Sequence, residues 1–207
     1  MRVIVFGGGD YGVAMIEIAR AAGHTVEGIV DDTKLIGEHV WGDVKVLGGK
    51  EDLNGIRKDI PGALMAVGLI ENHPRREEIY SDLMDVGFIL PTVIHPSAWV
   101  SPSAKIGFGT YVLERAVVCT EAQIGQWSLV NCGTIISHHC ELGRNVHVAG
   151  GTVLAGRVKV GSNTLIGMGC TVYLDVEIGS GVVITNGANV FVDVEDGVKT
   201  NRQRKGV

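Results

Sequence analysis

Between Ile94 and Val190 an aliphatic residue returns at every sixth position, from Ile94, Val100, Ile106 and Val112 through to Ile178, Ile184 and Val190 without a miss. Four residues after each, the side chain is small or β-branched almost throughout, as at Ala98, Thr110, Ser128, Cys140, Thr152 and Cys170. A period of six fits neither a helix nor an ordinary alternating strand. It is the mark of a parallel β-helix, in which each hexad forms one short side of a coil and its aliphatic residue points inward. Glycine follows the aliphatic residue at Gly107, Gly125, Gly143, Gly161 and Gly179, a beat of eighteen. Three hexads therefore make one coil, and residues eighteen apart are expected to stack at about the 4.8 Å strand spacing.

The first ninety or so residues lack this beat, so the pattern predicts two domains, 1–92 and 93–207. Arg2 to Phe6 reads as a buried parallel strand, and Gly7-Gly-Gly-Asp-Tyr-Gly12 follows it directly. Val13 to Ala22 then reads as a helix ended by Gly23, and Thr25 to Val30 as a second strand stopping at Asp31-Asp32. Strand, glycine turn, helix, strand and acid is the context in which glycines let backbone N–H groups approach a phosphate at a helix N-terminus. Gly7, Gly9, Asp10, Tyr11 and Gly12 are the candidate phosphate turn, and Asp31 or Asp32 the candidate ribose acceptor. The plainer alternative is a tight turn with acids that cap the next loop. Further strands are expected near Val44–Leu47, Ala63–Val67 and Phe88–Leu90, with a helix from about Pro74 to Val86. This is about half of a dinucleotide fold, which suits a single nucleotide or nucleotide-linked sugar better than a nicotinamide cofactor.

Composition narrows the function. A net charge of −5 without a basic stripe argues against nucleic acid, and Lys199, Arg202, Arg204 and Lys205 read as a solvated tail. No apolar run approaches membrane-spanning length, and no signal peptide is expected, which makes the cytoplasm the simplest compartment. Cys119, Cys132, Cys140 and Cys170 all lie inside the repeat and read as reduced packing residues.

Within the repeat His138 is the third residue of its hexad and should point outward, while Cys140 takes the small inward position. Gly156 stands eighteen residues later, so a backbone without a side chain is expected one coil above the imidazole, with room for a slender ligand. His147 lies half a coil away, where it could meet His138 only across an interface between coils.

Gly7 to Gly12, the Ile94-His-Pro-Ser-Ala98 stretch, the hexads, and His138 with Cys140, Gly143 and His147 together resemble the two-domain left-handed β-helix acetyltransferases. These include N-acetyltransferases of nucleotide-linked 4-amino-4,6-dideoxy sugars and sialic acid O-acetyltransferases. The resemblance implies an α/β Rossmann-like domain followed by a left-handed parallel β-helix, a homotrimer, acetyl-CoA between neighbouring coils, and a nucleotide-linked amino sugar at the N-terminal domain. It implies His138 as general base and His147 as a contact to acetyl-CoA from the adjoining subunit. An imidazole suits a base because its ordinary pKa of about 6.5 lies near neutrality. Gly156 is the expected region of the oxyanion donor, and Gly150, Gly151, Met168 and Gly169 are looser candidates for the pantetheine path. Where the family usually has an acid after the base, this chain has His139; Glu121, eighteen residues before His139, is expected to reach up from the coil below.

Other chemistries remain in view. The same base would serve a hydroxyl acceptor, and a protein that kept the fold without the chemistry would bind a nucleotide sugar and release no CoA. γ-Type carbonic anhydrases share such a coil, and Leu165-Ile-Gly-Met-Gly169 resembles a stretch of theirs. Their zinc needs two histidines with four residues between them, a spacing absent here.

Overall fold

The computed structural model describes residues 1–67 and 73–200. The chain divides into two compact units, Met1–Val93 and a second beginning at Ile94.

In the first unit the elements run β1 (Arg2–Phe6), α1 (Asp10–Ala21), β2 (Thr25–Val30), β3 (His39–Trp41), β4 (Val44–Gly48), α2 (Leu53–Asp59), β5 (Gly62–Met65) and α3 (His73–Asp85). The sheet order is β3-β4-β2-β1-β5, parallel apart from the β3–β4 hairpin. Val3, Ile4 and Val5 of β1 are wholly buried, as a central strand covered on both faces requires. Helix α1 buries Met15, Ile16, Ile18 and Ala19. It begins three residues earlier than the sequence pattern predicts, so Asp10, Tyr11 and Gly12 form its first turn and not part of the loop. Gly12 explains the difference, because a Cβ there would collide with the Gly7 carbonyl oxygen; without one, the helix closes directly onto the glycine turn. Neither the β3–β4 hairpin nor α2 is legible in the pattern. Helix α2 has seven residues and buries only Leu53, which leaves no apolar period to read. The strand expected over Phe88–Leu90 is reduced to one bridge between Gly62 and Ile89.

The second unit is a parallel β-helix of two-residue strands, which form sheets of six, five and six strands among the described residues. Its register is the predicted eighteen: Val117 pairs with Ile135, Ile135 with Val153, Val153 with Thr171, and Thr171 with Asn189. Every aliphatic residue of the series from Val112 to Val190 is buried in one continuous column. Such side chains stabilise a fold by about 1.5–3 kcal/mol each on area alone. Ile94, at the open first coil, is 40% exposed.

The small inward positions do more than fill space. Thr110, Ser128, Thr134, Thr152 and Thr164 donate their hydroxyls to the carbonyls of Gly125, Gly143, Ala149, Gly167 and Gly179, always fifteen residues on. Cys140 and Cys170 donate their thiols to Ala155 and Thr185 in the same way. A buried hydroxyl without a partner would cost about 1–3 kcal/mol, so this ladder is what admits polar atoms to the core. After Val190 the register tightens, with Ile178 bridging Val194 and Val183 bridging Lys199, sixteen residues on in each case. Arg202, Arg204 and Lys205 of the basic tail lie outside the described residues.

Candidate active site

Corners of the coil place the candidate residues. One corner stacks Thr120, His138, Gly156 and Leu174, each followed by a residue with positive φ: Glu121 at 57°, His139 at 59°, Arg157 at 61° and Asp175 at 62°. Both histidines are exposed, with ring centroids 5.3 Å apart at 82° and their Nδ1 atoms within 3.1 Å, a hydrogen bond whose donor is set by the tautomers. Gly156 covers His138 as expected: a Cβ on it would lie 2.5 Å from Cε1 and 2.6 Å from Nε2. Among the described residues the Gly156 N–H donates to no acceptor, while its carbonyl accepts from Asp175. Arg157 grips the Asp175 carboxylate with two bonds of 2.5 and 2.7 Å. Hydrogen bonding to Arg157 holds the Asp175 carboxyl below its ordinary range, helped more weakly by the nearby His138.

The role expected of Glu121 is not taken by its side chain. It stands one coil below His139, its N–H donates to Ser103 Oγ, and its carboxylate makes no hydrogen bond among the described residues. The hydrogen-bond partner of the His138 ring is His139 itself.

Gly150, Gly151, Met168 and Gly169 gather at a different corner, where Gly151 donates to the Cys132 carbonyl and Gly169 to that of Gly150. Gly151 and Gly169 have φ of 70° and 63°, and a Cβ on either would meet nothing within 4 Å. Met168 is 56% exposed. Between this corner and that of His138 runs one flat sheet face, whose outward residues include Trp99, Val117, Ile135, Val153 and Thr171. His147 lies on the adjacent face, in register between Leu129 and Leu165. Only 8% of it is exposed in the single chain.

In the first unit, Gly7 takes φ of 108°, Gly9 caps α1, and Asp10 is the acid of the helix's first turn. The two candidate ribose acceptors already serve the backbone. Asp31 accepts from the Gly8 N–H at 2.7 Å through Oδ2 and from the Thr33 N–H and hydroxyl through Oδ1, while Asp32 Oδ1 accepts from the Lys50 N–H at 2.6 Å. Burial pushes the Asp31 carboxyl up, but the bonds from Thr33 and Gly8, with Lys34 nearby, outweigh it and hold it below its ordinary value. Asp31 and Asp32 also line a cleft of about 690 Å³ together with Lys34, Ile36 and Lys50.

One polar pair is not among the candidates that the sequence singles out. The exposed Cys132 donates its thiol to the Glu114 carboxylate at 2.9 Å. Burial first, and then this bond, push the thiol up to about 11. The only signal in the sequence is that the two residues are eighteen apart.

Residues 2–83 match the family of PglD N-terminal domains. Among solved structures, a histidine mutant of perosamine N-acetyltransferase from Caulobacter crescentus, in complex with CoA and GDP-perosamine, is 32% identical. The match covers 96% of this chain and 92% of that one, with a TM-score of 0.89. The acetyltransferase domain of PglB from Neisseria gonorrhoeae, in complex with acetyl coenzyme A, is 33% identical over 96% and 94% of the two chains, with a TM-score of 0.86. WeeI from Acinetobacter baumannii, at 21% identity and a TM-score of 0.85 over 99% and 98%, shares the fold. Comparison with curated protein sequences gives no significant match. The chain belongs to the two-domain left-handed β-helix sugar acetyltransferase family. Within it, this chain is similar along almost its whole length to the perosamine N-acetyltransferase and to the acetyltransferase domain of PglB.

Proposed function

We propose that this protein moves an acetyl group from acetyl-CoA to the amino group of a nucleotide-linked 4-amino-4,6-dideoxy sugar, with His138 as general base. The observation that carries this reading is the corner itself: an exposed imidazole held at Nδ1, with its Nε2 edge under a residue that has no side chain. The relatives support the substrate class, since one is crystallised with CoA and GDP-perosamine and another with acetyl coenzyme A.

In this reading the amine attacks the thioester carbonyl, and a C–N bond forms as the C–S bond breaks. The amine proton passes to His138 Nε2 and then to the departing sulfur, which leaves as the CoA thiol. The Gly156 N–H, with no acceptor of its own among the described residues, is the candidate donor to the oxyanion. Acetyl-CoA lies along the flat face between the two corners, with Gly150, Gly151, Met168 and Gly169 at its far edge and His147 contributed by an adjoining subunit. A homotrimer accounts for that arrangement and for the exposed Trp99 and Ile135 on the same face. The nucleotide sits at the turn Gly7 to Gly12, beside the cleft that Asp31 and Asp32 line. The compartment is the cytoplasm, where acetyl-CoA and nucleotide sugars meet; no helix among the described residues is long and apolar enough to cross a membrane.

The test is CoA-thiol release from acetyl-CoA with a panel of UDP- and GDP-linked 4-amino sugars, run beside His138→Ala. Turnover on one amine that is lost in the variant supports the reading. Inactivity of the wild type on all amines, with turnover on hydroxyl acceptors, replaces it by O-acetylation.

A further inference from the structure

We infer that His139 is the positioning residue of the reaction: its Nδ1 accepts the Nδ1–H of His138, which leaves the lone pair of His138 Nε2 to take the proton. This rests on the reading of His138 as base.

Adjacent residues of an extended chain point to opposite sides. Here the positive φ of His139, shared with Glu121, Arg157 and Asp175 in the same column, folds the second ring back beside the first. The two Nδ1 atoms are 3.1 Å apart, so one of them must carry the hydrogen and the other the lone pair. Only one of the two arrangements is compatible with a base. If His138 donates, its Nε2 is unprotonated; if His139 donates, His138 carries its proton on Nε2 and cannot accept another. The competent arrangement also gains during the reaction. Once Nε2 has taken the amine proton, His138 is a cation donating Nδ1–H to a neutral ring, and hydrogen bonds from charged donors are roughly twice as strong as neutral ones.

The neighbouring carboxylates do not compete for this place. Asp175 is committed to Arg157 through both oxygens, and Glu121 makes no side-chain hydrogen bond among the described residues. The Arg157 N–H is itself tied to the His138 carbonyl at 3.0 Å, which anchors the backbone between the two rings. Gly156 limits the His138 ring from the opposite edge. The base is thus held from two sides, by a hydrogen bond at Nδ1 and by a bare backbone near Nε2.

The test uses two substitutions chosen for the left-handed backbone. His139→Gly removes the ring and suits φ of 59°; His139→Asn also tolerates that φ and keeps an acceptor oxygen near the position of Nδ1. In steady-state CoA release, His139→Gly is expected to lower kcat by about 10- to 100-fold. KM for both substrates should stay within about two-fold, and His139→Asn should recover most of the loss. Long-range ¹H–¹⁵N spectra of the histidine-labelled full chain, assigned with the His138 and His139 variants, should show His138 as the Nδ1–H tautomer in the wild type and in His139→Asn. Equal activity of His139→Gly and wild type, or a wild-type His138 protonated on Nε2, would overturn the proposal. The wild-type spectrum decides even if His139→Gly fails to fold, because His138→Ala and His139→Asn still assign the two rings. Retained activity in His138→Ala instead sinks the assignment of the base, whatever the His139 variants do.

Discussion

Gly156 stands one coil above His138, so close that a methyl group on it would lie 2.5 Å from Cε1 and 2.6 Å from Nε2 of the imidazole. The atoms it would meet belong to the end of an exposed side chain, which can swing away where backbone cannot. Gly156→Ala should therefore leave the coil intact and displace the base. The expected result is a fall in kcat of at least about 10-fold, with a thermal midpoint within a few degrees of wild type, read by CoA release and by thermal unfolding. Undiminished turnover would mean that the His138 ring does not need this position.

Gly125 offers the opposite case. A Cβ there would meet the Gly143 carbonyl group and come within 2.7 Å of the Arg144 nitrogen, all backbone of the next coil. Nothing can yield without opening the stack. Gly125→Ala should cost more than the ~1–3 kcal/mol of ordinary overpacking, seen as a drop in the denaturant midpoint or as loss of soluble protein.

The Cys132 thiol, pushed up to about 11, should react slowly despite its exposure. At pH 8 a thiol with that value is thiolate in only roughly one part in a thousand, and the thiolate is the nucleophile. Glu114→Gln removes the charge that the thiol donates to, so its pKa should fall and alkylation of the Cys132 peptide should speed up several-fold. Mass spectrometry of a timed iodoacetamide reaction reads this; an unchanged rate would leave burial as the whole cause.

Asp31 links the glycine turn to the β2 end, and its carboxyl is held below its ordinary value. A depressed carboxyl contributes stability that is present above its unfolded pKa and lost as pH falls through the folded one. Asp31→Asn should cost the first unit about 1 kcal/mol near neutrality, a modest figure because the carboxylate is only half-buried. The gap to wild type should close as pH drops below about 4, where the wild-type carboxyl protonates and the variant has nothing to titrate. Thermal unfolding across that range measures both curves; a gap that persists at low pH would point to shape and not charge.

The parts of the chain that could be read without coordinates share one property: the same local rule repeats. The aliphatic column from Val112 to Val190, the glycines at Gly107 to Gly179, and the stacking of Gly156 over His138 all follow from counting sixes and eighteens. Where the count stops, so does the reading. The coil after Val190 closes in sixteen residues, and α2 buries a single apolar residue. The first turn of α1 was hidden for a related reason, since glycines mark loops by composition while Gly12 serves here as a contact surface for helix packing.

The sequence by itself determined the architecture: an α/β unit with a glycine turn, then a coil whose inward positions are written in every hexad and whose corner carries His138. Those features depend on hydrophobic period and on the absence of a side chain, both properties of residue type. Only the tertiary structure decided which polar groups meet. The bond between His138 and His139, the engagement of Asp175 by Arg157, the thiol of Cys132 on Glu114, and the hydroxyl ladder of the core arise from left-handed corner residues and from the closeness of stacked coils. A side chain's direction at such a corner is set by the backbone torsion the stack imposes on it, and the residue's identity does not carry that torsion.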